Sequence, residues 1–128
     1  MDHHSHDFET NLNGAMEAFG ELLATALPLP ISLDGVSEND PSSSAIVVKL
    51  TALLESQPVP RIVRDALVNF ADAWFAARIL GAQVVGSPDP VVVQASWSSY
   101  LMLNALMLST LDFLRAWKAG EIPAEDLE

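Results

Sequence analysis

Four stretches of the chain repeat their apolar side chains at intervals of three and four residues, the spacing that stacks positions on one side of an α-helix. In the first, residues 9–27, the apolar positions Phe8, Leu12, Ala15, Met16, Phe19, Leu22, Leu23, Ala26 and Leu27 oppose Glu9, Asn13, Glu17 and Glu21. Asp7 and Glu9 suit the positive end of its dipole, and Pro28 with Pro30 stops it. Residues 28–39 then read as a long connection, because they carry two prolines, an Asp34-Gly35 turn and no helical period.

Asp40-Pro41 opens the second helix, with aspartate as N-cap and proline at the first helical position, where its missing N–H does no harm. Ile46, Val47, Leu50, Leu53 and Leu54 form its buried stripe. Residues 45–48 are β-branched enough for a short strand to compete, but the spacing through Leu54 favours helix. Pro58 and Pro60 break the chain before a third helix, 60–82, whose inner face is Val63, Ala66, Leu67, Phe70, Ala73, Trp74, Ala77 and Gly81. The small members of that face predict close approach of a neighbouring helix. Arg61, Asp65 and Asp72 mark its outer side, which Val68, Phe75 and Ile79 share.

A second Asp-Pro, Asp89-Pro90, starts the fourth helix, 90–119, which Gly120 closes. At 1.5 Å per residue it is about 45 Å long. A hairpin pairing 83–85 with 91–93 is the alternative, and Pro90 argues against it. These elements predict an all-α fold: an irregular four-helix bundle around a long C-terminal helix, one domain over 1–128 with acidic tails at 1–8 and 121–128.

The fourth helix poses the main question, since the 22 residues 90–111 contain no ionisable acid or base and do not sort cleanly onto one face. Laid out at 100° per residue, Val92, Ala95, Ser99, Met102, Leu103, Leu106, Thr110, Phe113, Leu114 and Trp117 make the expected core face. The opposite side, from Gln94 to Lys118, is polar only at its ends and carries Trp97, Tyr100, Leu101 and Leu108 in its middle. Two accounts stay open. Either the other helices surround this one and both faces are core, or the second face meets another molecule, with Trp97 and Tyr100 as aromatic anchors and Leu101, Leu108, Val68, Phe75 and Ile79 around them. A membrane span satisfies the length requirement of about 20 residues. Gln94, three serines up to Ser99, Asn104, Ser109 and Thr110 dilute its apolar character, however, and paired basic flanks are missing.

Charge sharpens the picture. Residues 1–40 hold eight acids and no base, 41–120 five acids and six bases, and 121–128 four acids and no base, for a net charge of −11. A near-neutral body with acidic ends has no basic patch for phosphates, so direct nucleic-acid contact is not expected. No cysteine is present, which excludes disulfides, thiolate zinc sites and a cysteine nucleophile. All three histidines, His3, His4 and His6, lie at the start, and such a run captures metals adventitiously, so no physiological metal site is expected. The helices therefore supply no imidazole or thiol for catalysis, and no phosphate loop or nucleophile elbow appears. The aromatics Trp74, Trp97, Tyr100, Phe113 and Trp117 are expected in the core rather than around a ligand, and Met102 with Met107 would make a poor haem pair, so no cofactor is expected.

The chain opens without a basic stretch followed by an apolar core, which makes a cytoplasmic location the expectation. The functional expectation is a non-catalytic protein–protein interaction module, an adaptor, assembly factor or binding inhibitor, oligomeric or part of a larger assembly. The alternative is a membrane-associated or pigment-binding accessory subunit that buries the 90–111 helix in lipid.

Overall fold

The computed structural model describes the backbone of residues 3–32 and 43–127, and side chains over 8–32 and 45–127. Among these residues the chain is all-α, with α1 (His3–Thr25), α2 (Ser43–Glu55), α3 (Arg61–Gly86) and α4 (Pro90–Lys118), a closing 3₁₀ turn Ala124–Leu127, and no strand. Residues 45–48 are helical, and α3 continues to Gly86, so neither the short strand nor the 83–85 hairpin forms. The Asp34-Gly35 turn, the Asp40-Pro41 cap and the side chains of His3, His4 and His6 lie outside the described residues.

The ends of α4 follow local chemistry. The Asp89 carboxylate accepts from the Val91 N–H at 2.9 Å, satisfying a donor that has no partner inside the helix. At the other end Gly120 takes φ +74°, and the Gly120 and Glu121 N–H groups donate to the Trp117 and Ala116 carbonyls. That is the Schellman pattern of closure, which a glycine enters without steric cost. α1 begins at His3, well before residue 9. Phe8 gives this early turn an anchor, because its ring is buried and meets Tyr100 edge-on with centroids 5.9 Å apart.

Every other element packs on α3: α1, α2, α4 and the 3₁₀ turn all touch it. Its inner face is the expected one, with Val63, Leu67, Phe70, Ala73, Trp74, Ala77 and Gly81 buried, joined by Ala71 and Val84. Phe70 stacks on Phe19 of α1 at 4.1 Å between centroids, and the Trp74 indole N–H donates to the Leu12 carbonyl at 3.1 Å. The gap left by Gly81 admits the Phe8 ring of α1, which would collide with any Cβ built there. Leu127 of the closing turn packs against the same core, so the acidic C-terminal stretch is tethered by one leucine.

A side chain also joins the two connections. Gln57, buried at the α2–α3 corner, accepts from the Leu29 N–H at 3.1 Å and donates from its own amide to the Leu29 carbonyl at 2.7 Å. It pairs with a backbone peptide as another peptide would. Gln57→Ala strands both groups and should cost about 1–3 kcal/mol, read as a lower urea midpoint at unchanged slope. A midpoint equal to the parent's would mean that water replaces the amide at no cost.

Candidate functional site

α4 is the element with most left to cover. It lies against α3 and α1, and its buried residues are Ser96, Tyr100, Met107, Leu111 and Leu114. Val93, Trp97, Leu103, Asn104, Phe113 and Trp117 are half-buried around that stripe. The helix has therefore turned relative to the expected core face. Met102 and Val91 are exposed by 74% and 76%, and Val92 and Leu106 also face outward.

The cause is the size of the aromatic side chains. The helix carries aliphatic side chains on both sides, so periodicity does not rank them, but Trp97, Tyr100, Phe113 and Trp117 each withdraw far more surface on burial than a methionine or valine. All four are turned at least partly inward. Tyr100 also has an internal partner for its hydroxyl, which donates to the Phe8 carbonyl at 3.4 Å, while its ring stacks on Trp97 at 5.3 Å.

This arrangement corrects the expected anchor set. Tyr100 is fully buried in the chain's own core, and Trp97 is half-buried against it, so neither stands out to grip a partner. Val68 and Phe75 are partly buried against the core, and only Ile79 of those three is exposed. Leu101 and Leu108 do face outward, 45% and 51% exposed and one heptad apart on the same edge. The periodicity misassigned Val92, Met102 and Leu106 to the core and left Val91 unassigned, and with Leu101 and Leu108 these four complete the outward aliphatic set. No sequence signal separates them from Met107, Leu111 and Leu114, which also lack rings and are buried.

Together the six span about 25 Å of helix, with Ala95, Ser98 and Ala105 exposed between them and Ser109 exposed just beyond. No charge interrupts the face until Asp112, which pairs with Arg115 at 3.9 Å. Beside it, a groove of about 570 Å³ runs between α3 and α4, with Ala66, Ala73, Leu103 and Phe113 among its lining residues and Asp65 and Asp72 on its α3 side. Val68, Phe75 and Ile79 do not line it. Among the described residues no three histidines, aspartates or glutamates come together in a way that could hold a metal ion.

The arrangement is suited to burying aliphatic surface against a complementary surface. Compared with known proteins, the chain matches no family model, no curated protein and no solved structure.

Proposed function

We propose that this chain is a non-catalytic protein–protein interaction module, an adaptor, assembly factor or binding inhibitor that works in the cytoplasm as an oligomer or as part of a larger assembly. The observation that carries this reading is the outward face of α4, where six large aliphatic side chains lie on one uncharged stretch. An apolar patch of that extent is costly in water and is characteristic of a surface that another molecule covers. Exposed acids elsewhere keep the free chain soluble.

A second reading has its own observation: α4 is long and apolar enough to cross a membrane, and only 17% of its most apolar window is buried. Against lipid stands the neighbour, since α3 runs beside α4 with Arg61, Asp65, Asp72 and Arg78 exposed along it. Charges spread over that length would be drawn toward the bilayer with α4, at several kcal/mol for those reaching its centre.

The test compares the tagged chain with Leu101→Asp/Leu108→Asp in extracts of the native source. The variant should melt like the parent, because both positions are half exposed, and should lose the proteins that the parent retains. Equal recovery by both would overturn the docking face, and recovery of the parent only in detergent would favour the lipid reading.

A further inference from the structure

We propose that the occupant of this face is a second copy of the chain, its α4 lying antiparallel to the first about a two-fold axis at Met102. The inference rests on the docking role proposed above and names its partner. Val91, Ala95, Ser98, Met102, Ala105 and Ser109 are all exposed and recur at alternating intervals of four and three, the spacing of a helix–helix seam. Leu101 and Leu108 flank the seam on one side, Val92 and Leu106 on the other.

The seam reads nearly the same in both directions from Met102. Small residues stand at Ala95 and Ser98 before it and at Ala105 and Ser109 after it, so an antiparallel copy sets small against small at both ends and methionine against methionine in the middle. A two-fold interface requires this self-complementarity, in which one patch serves both partners. The area also suffices. At their fractional exposures the six large side chains offer on the order of 600 Å² per chain, and the four small ones bring this near the roughly 800 Å² each partner buries in a stable pair.

Charge selects the direction. Two chains of net charge −11 repel over most of their surfaces, and the seam is where they can meet without like charges in contact. In the antiparallel pair the first charge at the seam edge, Asp112, faces the start of the other helix, near its positive N-terminal end. A parallel pair would instead place Asp112 against Asp112 at the next seam position.

The chain has no cysteine, so introduced ones report the register directly. Under mild oxidation of the full chain, Met102→Cys should cross-link to itself. Ala95→Cys and Ser109→Cys should each form no cross-link alone, their counterparts being about 20 Å away, and should cross-link when mixed. Sedimentation of the parent should give twice the mass of one chain, and Met102→Asp should raise the dimer dissociation constant about 100-fold or more, with a melting temperature equal to the parent's when both are measured at concentrations below the parent's dissociation constant. Self-cross-linking of Ala95→Cys would overturn the antiparallel direction. A parent that sediments as a monomer throughout the micromolar range would overturn the second copy as occupant. In that case the docking role stands if the native-source comparison still shows partners lost with Leu101→Asp/Leu108→Asp. Flotation of a monomeric parent with phosphatidylcholine vesicles would make lipid the occupant and overturn both.

Discussion

Tyr100→Ala should destabilise the folded chain by about 3–5 kcal/mol, the range for truncating a large buried ring. The ring is fully buried, stacks on Trp97 and meets the edge of Phe8, so its removal opens a cavity bounded by α1 and α4. Three contributions separate cleanly. Tyr100→Phe keeps the ring and loses only the hydroxyl bond to the Phe8 carbonyl, which at 3.4 Å is long, so about 0.5–1 kcal/mol is expected. Leu101→Ala, one residue along and facing outward, should cost less than about 1 kcal/mol. Urea unfolding of the three variants reads the order directly. If Leu101→Ala proved the most damaging and Tyr100→Ala nearly silent, α4 would have the opposite rotation and the outward face described above would be core.

The second large effect lies where α1 meets α3. Phe19 and Phe70 are both fully buried with ring centroids 4.1 Å apart and planes inclined by 22°. Either alanine variant should cost about 3–5 kcal/mol, because the hole is enclosed by helices that cannot collapse far into it. Since each ring is the other's neighbour, the double variant should cost less than the sum by about 0.5–1.5 kcal/mol. Strict additivity in a double-mutant cycle measured by urea unfolding would show that the stacked pair is not a coupled unit. Calorimetry of the single variants supplies a second reading, with each melting many degrees below the parent.

How much of this was legible depends on whether one face of an element is clearly more apolar than the other. α1 and α3 alternate charged and apolar sides, so Leu12, Phe19 and Leu23, and Val63, Leu67 and Phe70, could be assigned inward from spacing alone, and the structure buries them. The cap at Asp89 and the closure at Gly120 were equally readable, being set by the few residues around them. Gly81 was half readable. Its lack of a side chain predicted a close neighbour, but the neighbour is a ring from α1 brought there across more than seventy residues of sequence. In the candidate site, Leu101 and Leu108 were legible, whereas Tyr100 had been placed on the wrong side and Met102 and Leu106 on the other wrong side.

The sequence by itself therefore determined the all-α class, the long C-terminal helix, its capped ends and the absence of charge from 90 to 111. Those properties depend on propensity, capping and spacing, which act over a few residues. The tertiary structure alone decided which side of that helix is core. A helix apolar on two sides gains nearly the same free energy from periodicity in either rotation. The choice then falls to terms that need a neighbour in place: the area withdrawn by Tyr100 against Phe8 of α1 and by Trp97 against the core, and a carbonyl at Phe8 within reach of the Tyr100 hydroxyl. Once those are satisfied, Val91, Val92, Leu101, Met102, Leu106 and Leu108 are left facing outward, and their exposure follows from packing that no local pattern records.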